Sequence, residues 1–387
     1  MPTKCPRCFS VLDDNAYAWT VAPELANMRY YRDPVASAYA GVETHCGPIH
    51  VVNRPPRYRG PLQSAGDACQ ALNAPVVEIC PVCHFTLPTG WRHGHAICLA
   101  MAGARATGKS LYMAVLVKQL EVLCERLGVS MEPATPATAS AYAHNYERPL
   151  YVQRGLIPPT PASHTEASHQ REPLVFSIGA WQGVRRYVVL RDVAGEDLES
   201  GNLDAPHFRF FTNADAVLFM FDPLRVQVIR DQLHDLVPPQ SWSGVDPRSV
   251  LTNLLLAVGP GRPRLAVVMS KFDVLRALNE VEGSTWSHVM SNSGAAFMRD
   301  SSSTRHYDEI DGQLLHEEVR SLLLRLHGAS IVAAVENPSN GIRLNHRYFV
   351  VSALGQPPVG NRLNPRGIAP FRCVDPLRWV TAGHGVL

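Results

Sequence analysis

The stretch GARATGKS, from Gly103 to Ser110, lies between an apolar run, AICLAMA, and a helical pattern, LYMAVLVKQL. The spacing Gly-x-x-x-x-Gly-Lys-Ser is typical of a loop whose backbone N–H groups turn towards a phosphate chain. In such a loop Lys109 reaches the terminal phosphates and the Ser110 hydroxyl binds magnesium. A buried strand before the loop and a helix after it complete the motif, because the positive end of the helix dipole favours an anion. The stretch therefore predicts a nucleotide-binding loop that turns at Gly103 and Gly108.

A series of short apolar runs on both sides of this loop indicates the fold class. The runs cover residues 96–102, 174–178, 187–190, 216–221, 265–269 and 348–351, and helical patterns cover 109–127, 225–236 and 313–326. Continuous Val/Ile/Leu/Phe runs that alternate with helices are typical of a parallel sheet covered on both faces. We therefore expect an α/β fold of the phosphate-loop type over residues 95–387, with a mostly parallel sheet flanked by helices. Two polar stretches near 131–172 and 280–308 are expected to be long insertions in it.

The bulk composition limits the class of protein. With 387 residues and 46% hydrophobic content, the chain can bury a sizeable core. Its formal net charge of +2 provides no general attraction to nucleic acid, so a nucleic-acid partner is not expected. We find no signal-peptide pattern and no apolar window of about 18 residues, which predicts a cytoplasmic protein without a membrane span.

Two CPxC pairs, Cys5 with Cys8 and Cys80 with Cys83, are the main feature of the first 94 residues. Each pair places two thiolates on one tight turn, and two such turns that face each other form a tetrahedral four-sulfur zinc site. The 71 residues between Cys8 and Cys80 exceed the roughly 15 to 20 of a compact ribbon. We therefore expect residues 1–94 to form a zinc-ribbon-like module with an insertion and a structural metal. Alternative ligands nearby are His45, Cys46, Cys69, His84, His93 and His95.

The motif DVAG follows a strand-length run and ends at Gly195. Asp192 ends the strand, where a carboxylate can hold the magnesium shell, and the N–H of Gly195 can meet the γ phosphate. Without the phosphate loop upstream, an Asp-Gly turn after a strand would be an equally good interpretation. Together the two motifs indicate a nucleoside triphosphate with magnesium.

Two later motifs indicate which base is bound. In SKFD, which runs from Ser270 to Asp273, the Asp273 carboxylate can accept two hydrogen bonds from guanine that adenine does not offer. The Lys271 stem can lie along the plane of the same base. In SALG, the turn at Ser352 and Ala353 can point a backbone N–H at guanine O6. The two motifs predict GTP rather than ATP.

The ordered motifs GARATGKS, DVAG, SKFD and SAL resemble those of the translation-factor and Ras-like class of P-loop GTPases, whose members usually have Asn or Thr at the position of Ser270. The resemblance covers residues 96 to about 380. The CPxC module and the closing segment FRCVDPLRWV are similar to bacterial double-GTPase proteins, a group inferred to act in multi-component conflict or signalling systems. The resemblance implies GTP or GDP, Mg²⁺ and Zn²⁺ as cofactors. It also implies protein partners, such as an activating protein or a second GTPase.

The resemblance further implies a catalytic set. Members carry a Thr that senses the γ phosphate, for which Thr160 is the first candidate and Thr165 the second. Arg154 is either an internal arginine finger or a solvated side chain. Glu196 follows DVAG, where relatives often place a Gln that orients water. With Lys109 on the phosphates and Thr160 as the sensor, Glu196 at this position predicts slow hydrolysis that a partner stimulates.

Three functions follow as hypotheses. The main one is a magnesium-dependent GTPase switch that signals its nucleotide state to protein partners in a bacterial conflict or signalling system. The alternative is a GTP-binding scaffold with negligible turnover, which Glu196 favours. A third hypothesis is a zinc-ribbon NTPase that depends on nucleic acid, and a steep salt dependence of nucleic-acid binding would support it.

Overall fold

The computed structural model describes residues 3–387 except 24–29, 56–57, 59, 61–63, 159–171, 202, 236–244, 282–284, 302–303, 305 and 361. The strands in this part of the chain are β1 Ala16–Val21, β2 Tyr31–Arg32, β3 His45–Cys46, β4 Ile49–Asn53, β5 Val76–Ile79, β6 His95–Ala102, β7 Glu132–Pro133, β8 Leu174–Trp181, β9 Val184–Arg191, β10 Ala216–Phe221, β11 Arg264–Met269 and β12 His346–Val350. The α-helices are α1 Pro34–Ala40, α2 Ala65–Leu72, α3 Lys109–Arg126, α4 Pro136–Tyr142, α5 Gly195–Ser200, α6 Phe210–Asn213, α7 Gln227–Leu233, α8 Pro247–Val258, α9 Phe272–Arg276, α10 Thr285–Met290, α11 Glu309–Arg325, α12 Ala329–Glu336 and α13 Asp375–Ala382. Short 3₁₀ helices lie at Trp91–His93, Pro206–Phe208, Pro223–Arg225, Ala277–Glu280 and Ala296–Met298, and a π-helix lies at Ala143–Val152.

The main sheet has seven strands in the order β12-β11-β10-β6-β9-β8-β7. The five strands from β12 to β9 run parallel, and β8 and β7 are antiparallel at one edge. Strands that come later in the chain lie on both sides of β6, so the carboxyl ends of β6, β9 and β10 surround a topological switch point. Ligands of open α/β sheets bind at such a point. Helices flank the sheet, and the expected α/β class with a mostly parallel sheet is confirmed.

The central strands are apolar because helices cover both faces of the sheet. Every residue of β6 and of β10 is buried. Buried side chains from α3, α8 and α11 join these strands in one hydrophobic cluster. This packing fixes the carboxyl ends of the strands, from which the predicted site residues extend.

Two helices begin where a side chain caps them rather than where the apolar pattern begins. The predicted helix 313–326 begins at Glu309, because the Asp308 carboxylate accepts hydrogen bonds from the N–H groups of Ile310 and Asp311. Helix α8 was not predicted, although Asp246 caps it and Pro247 opens it. The capping aspartates and the opening proline are local signals of a helix start that can be read in the sequence.

The first polar stretch contains regular structure that the sequence did not predict. Residues 132–152 form β7, α4 and the π-helix, with Thr135 as the cap of α4. Tyr142 and Tyr146 from this segment are buried and their rings stack, with centroids 6.1 Å apart. The second polar stretch contains α10 and the 3₁₀ helix Ala296–Met298. The sequence pattern did not predict these helices, because the segments are rich in Pro and Ser and their buried residues are few and unevenly spaced.

A small antiparallel sheet, in the order β4-β1-β5, lies between the two cysteine pairs in sequence. Helix α2 covers it, and Ala68 of this helix packs with Tyr17 and Trp19 of β1. Ser64 and Asp67 form a capping box at the start of α2.

Candidate nucleotide site and metal centre

The predicted phosphate loop connects β6 to α3. A Cβ atom on Gly103 would lie 2.2 Å from the backbone oxygen of Met220, so only glycine fits against β10 at this position. Gly108 caps α3 with φ at 87°, a left-handed conformation that glycine adopts without strain. A close backbone approach therefore requires glycine at position 103, and a left-handed turn favours it at position 108.

Lys109 is buried at the start of α3. Its ammonium donates to the carbonyl oxygens of Gly103 and Ala104, at 2.7 and 2.8 Å. Burial lowers the pKa of this ammonium, while the carboxylates of Asp192 and Glu199 act in the opposite direction. The contacts hold the ammonium against the backbone of the loop.

Asp192 directly follows β9 and reaches the start of α3. The Ser110 hydroxyl donates to Asp192 Oδ2 at 3.4 Å, and the Val193 N–H donates to Asp192 Oδ1 at 2.9 Å. A hydroxyl and a carboxylate are hard oxygen ligands of the kind that Mg²⁺ binds. These two side chains fit a magnesium ion beside the loop.

Helix α5 begins at Gly195 and lies directly on the phosphate loop. A Cβ atom on Gly195 would lie 2.3 Å from the backbone nitrogen of Arg105. Glu196, which lies where relatives often place a water-orienting Gln, forms an ion pair with the Arg105 guanidinium. Glu199 accepts a hydrogen bond from the Arg105 N–H at 2.8 Å. Sequence reasoning missed Arg105 and Glu199, since nothing in their spacing marks them as a pair.

The motifs predicted to recognise the base meet at the ends of β11 and β12. The buried Ser352 hydroxyl donates to Asp273 Oδ1 at 2.6 Å and accepts from the Gly355 N–H at 2.9 Å. The Ser270 hydroxyl donates to the carbonyl oxygen of Phe221 at 2.9 Å. Ala353 follows Ser352 in the same turn and is half-buried.

Lys271 has left-handed backbone geometry, with φ at 52°. Its ammonium donates to Asp222 Oδ2 at 2.8 Å. Asp222 is buried at the end of β10 and was not predicted, although an acid after a strand at this sheet edge is the signal that identified Asp192. The contact with Asp222 joins the Lys271 side chain of the SKFD turn to the end of β10.

The described members of the predicted set thus follow the carboxyl ends of parallel strands in one sheet. Thr160 and Thr165, the two candidates for the γ-phosphate sensor, lie outside the described residues. Arg154 is exposed, and its carbonyl oxygen accepts from the Leu363 N–H at 3.2 Å.

The sulfur atoms of the two CPxC pairs lie within 4.8 Å of one another, and all four cysteines are buried: Cys5, Cys8, Cys80 and Cys83. The Sγ–Sγ distances are 3.5 Å for Cys5 with Cys83 and 3.7 Å for Cys8 with Cys80. A tetrahedron with metal–sulfur distances of about 2.3 Å has edges of about 3.8 Å. Burial raises the pKa of the Cys5 and Cys83 thiols, so four thiolates here require a cation. The group suits a closed, structural metal site.

Two of the alternative ligands have other partners. The His84 ring bonds to Asp33 Oδ2 at 2.7 Å through Nδ1, and the Cys46 thiol donates to the same oxygen at 3.2 Å. Burial, with the hydrogen bond to Asp33, raises the pKa of Cys46 to about 12. Cys46 therefore stays protonated, and both side chains connect the β2–β3 segment to the second cysteine turn.

The cysteine centre contacts the main sheet through its first turn. The Lys4 ammonium lies 2.6 Å from Asp215 Oδ1, and the Arg191 guanidinium donates to the carbonyl oxygen of Arg7. Arg191 is buried, and its guanidinium lies 3.9 Å from the centre of the Phe210 ring. Arg191 directly precedes Asp192 in the chain. Its contact with Arg7 therefore connects the first cysteine turn to the residue beside the candidate magnesium ligand.

With this geometry in view, residues 15–78 match the family model for the N-terminal domain of the ESX-1 scaffolding and assembly protein SaeC. The chain is also 69% identical over 385 residues to SaeC of Mycolicibacterium smegmatis, which is named for ESX-1 scaffolding and assembly, and the match covers 100% of each chain. The chain belongs to the SaeC family. The region of the family model lies between the two cysteine pairs and contains β1, β4 and α2.

Several solved structures have a loosely similar shape. The Ski7 GTPase-like domain of S. cerevisiae bound to GTP is 8% identical with a TM-score of 0.33, and the form bound to GDP and inorganic phosphate is 9% identical with a TM-score of 0.32. Each match covers 76% of this chain and 51% of the solved one, so the chain spans about half their length. Bacterial selenocysteine-specific elongation factor EF-Sec is 13% identical with a TM-score of 0.22 over 60% of this chain and 29% of that one.

These comparisons revise the expected family. They identify the SaeC family, and they give no support to the resemblance to bacterial double-GTPase proteins. In the described part of the chain, none of the helices is both long enough and apolar enough to cross a lipid bilayer.

Proposed function

We propose that this protein is a GTP-binding scaffold that brings together protein components of an ESX-1 assembly. The observation that carries the nucleotide half of the proposal is the 2.6 Å hydrogen bond between Ser352 and Asp273. It holds in place the carboxylate that would accept from guanine N1–H and its 2-amino group, at the sheet edge that also bears the predicted phosphate loop. The scaffold half is supported by the name of the relative from M. smegmatis.

Within this proposal the chain has two units, residues 1–94 and residues 95–387. The second unit would bind GTP through Gly103, Gly108, Lys109, Gly195 and the base-recognition residues. Ser110 and Asp192 would hold Mg²⁺, which shields the phosphates. Zinc is the proposed metal of the cysteine centre, because four thiolates in a closed tetrahedron are its usual structural ligands.

Turnover is proposed to be negligible in the isolated protein. Glu196 is paired with Arg105, and a carboxylate at this position repels the γ phosphate. The Arg105 guanidinium also competes with water for the Glu196 carboxylate. These features favour binding over hydrolysis, which suits a scaffold.

Slow hydrolysis stimulated by a partner is the second candidate function. The Ser110 and Asp192 oxygens favour it, because a magnesium ion beside Lys109 is the charge arrangement of phosphoryl transfer. In this function Lys109 and Thr160 would act on the γ phosphate and Glu196 on the water. An arginine supplied by an activating protein, or by a second GTPase as in the double-GTPase hypothesis, would complete the site.

Calorimetric titration with non-hydrolysable GTP and ATP analogues plus Mg²⁺ tests the nucleotide half, on the wild type and on Asp273→Ala. The proposal expects GTP binding that the substitution weakens by about 100-fold, and equal binding of both analogues contradicts it. Single-turnover assays with GTP, with and without extract from the native host, separate the two functions. Turnover that rises with extract in the wild type and not in Lys109→Met would favour the hydrolysing switch.

A further inference from the structure

One donor of the phosphate loop is already bonded to an anion within this chain. The Arg105 N–H donates to Glu199 Oε1 at 2.8 Å. The Arg105 guanidinium also pairs with Glu196, and its Nε lies 3.6 Å from Glu199 Oε2. Two carboxylates of α5 therefore bind the second residue after Gly103.

The backbone of α5 is equally close to the loop. The Cβ position of Gly195 is 2.3 Å from Arg105 N and 2.6 Å from the carbonyl carbon of Ala104. The Glu199 side chain is only 14% exposed. The start of the helix and one of its carboxylates thus cover the same part of the loop.

A carboxylate and a phosphate compete for the same kind of donor. Both are anions that accept hydrogen bonds from backbone N–H groups, and a loop before a helix N-terminus favours either one. A phosphate that approaches Arg105 must replace the Glu199 oxygen and must also overcome repulsion from Glu196 and Glu199. Glu199 further stabilises the Lys109 ammonium, the cation that a phosphate would bind.

From these contacts we propose that Glu199 is a built-in competitor of the nucleotide phosphates, and that binding of the nucleotide displaces residues 196–200 of α5 from the loop, while Gly195 at the start of the helix stays beside the γ phosphate. This inference rests on the proposed function, since it concerns the same loop. It makes the position of α5 a direct report of whether the loop holds a phosphate.

The displaced helix has a defined contact with the rest of the molecule. The Asn253 side-chain amide donates to the carbonyl oxygen of Leu198 at 2.8 Å, which joins α5 to α8. Gly201, at the end of α5, lies against the same amide, with its Cβ position 3.2 Å from Asn253 Nδ2. Displacement of α5 breaks this junction, so the surface formed by α5 and α8 differs between the free and the nucleotide-bound scaffold.

Glu199→Ala and Glu199→Gln test the competition in the full-length protein. Titration with the non-hydrolysable GTP analogue plus Mg²⁺ should show about tenfold tighter binding for Glu199→Ala, which loses both the charge and the acceptor. Glu199→Gln keeps an acceptor oxygen and loses the charge, so its gain should be about threefold. Glu125→Gln is the matched control, because it removes one negative charge from an exposed position on the last turn of α3, about 24 Å from the loop. Its affinity should equal that of the wild type.

Hydrogen–deuterium exchange provides a second measurement that is independent of affinity. Without nucleotide, the amides of Arg105 and of residues 195–200 should exchange faster in Glu199→Ala than in the wild type. Addition of the GTP analogue to the wild type should speed exchange at residues 196–200 and slow it at the loop and at Gly195. Melting temperatures confirm that each variant is folded.

The outcomes separate this inference from the proposed function. Equal affinity of the wild type and Glu199→Ala, or unchanged exchange in α5 on addition of nucleotide, overturns the competition and leaves GTP binding in place. Absence of nucleotide binding by both proteins overturns both proposals. Tighter binding by Glu199→Ala with faster exchange in α5 supports both.

Discussion

The phosphate end and the base end of the candidate site are held by different kinds of contact. At the phosphate end, the loop of residues 103–110 is bonded to carboxylates from another element, Glu196 and Glu199 of α5. At the base end, Asp273 and Lys271 are each positioned by one nearby side chain, Ser352 at 2.6 Å and Asp222 at 2.8 Å. A ligand must replace contacts at the first end, whereas the second end presents its groups already oriented.

The difference separates specificity from response. Side chains that are oriented before binding lose little entropy when the base arrives, so the proposed base end would select guanine at low cost. Contacts that must be exchanged convert binding into a movement of α5. We expect substitutions at the base end to change which nucleotide binds, and substitutions at the phosphate end to change how tightly any nucleotide binds.

Lys109→Met should have the largest effect and should not discriminate between bases. It removes the buried ammonium, so affinity for the GTP and ATP analogues should fall together by about 100-fold or more. Lys118→Met is the control, since Lys118 lies on the same helix and pairs with Glu147 at 2.6 Å. Calorimetry that finds GTP affinity within threefold of the wild type would contradict a role for Lys109 at the phosphates.

Asp273→Ala should affect one base only. Loss of two hydrogen bonds to a charged acceptor should weaken the GTP analogue by about 100-fold and leave the ATP analogue unchanged. Asp235→Ala, a substitution of a carboxylate that is 95% exposed, provides the control. Parallel loss for both analogues would place Asp273 outside base recognition and remove the distinction between the two ends.

Removal of the metal from the cysteine centre should weaken the phosphate end more than the base end. Arg191, the residue before Asp192, donates to the Arg7 carbonyl, so a disordered cysteine turn is expected to disturb the candidate magnesium ligand. Cys8→Ser should lower the zinc content and reduce Mg²⁺-dependent GTP affinity by about tenfold, with the preference for guanine retained. The control is Cys69→Ser, which changes a half-buried thiol of α2 outside the cluster. Unchanged magnesium dependence in a protein that has lost its zinc would contradict the connection.

Ser352→Ala should reproduce Asp273→Ala in weaker form. The carboxylate remains but loses the donor that orients it, so GTP affinity should fall by about fivefold without a change for ATP. Ser352→Thr, which retains the hydroxyl, is the matched variant and should restore part of the loss. An effect as large as that of Asp273→Ala would indicate that Ser352 contacts the base itself.

Part of the pH dependence of stability should come from His95, a residue that lies away from both ends of the site. His95 begins β6, at the end of the strand away from the phosphate loop, and lies 3.3 Å from His384. Burial, reinforced by Arg186 and His384, lowers the pKa of His95 to about 4. In the unfolded state the pKa of this histidine is about 6.5, so between about pH 4 and pH 6.5 the unfolded state binds more protons than the folded state. The stability that neutral His95 contributes is therefore complete above about pH 6.5 and is lost as the pH falls towards 4.

Melting curves at pH 5 and pH 7 measure this contribution. The difference between the two melting temperatures should be about 2–4 °C smaller in His95→Gln than in the wild type. The exposed His288 provides the control, since His288→Gln should leave the difference unchanged. An unchanged difference in His95→Gln would mean that His95 titrates normally in the folded protein.

The sequence by itself determined the features that depend on short spacing. The phosphate loop, the two cysteine turns and the strand 216–221 are set by which residues lie within a few positions of one another, and β10 matches its prediction residue for residue. Apolar runs identify buried strands because a strand covered on both faces must be apolar throughout. Helices α8 and α4 were missed although their capping residues are local, because prediction relied on apolar period rather than on caps.

Only the tertiary structure decided which distant side chains meet. Asp222 contacts Lys271 because β10 and β11 are neighbours, and Arg105 contacts Glu199 because α5 lies on the loop. The cysteine pairs, separated by 71 residues, likewise meet through the packing of the segment between them. Sequence spacing fixes the local turn of the backbone, whereas these contacts depend on strand order and helix packing, to which residues throughout the chain contribute. The sequence therefore indicates a phosphate loop, and the fold supplies the carboxylate that competes for it.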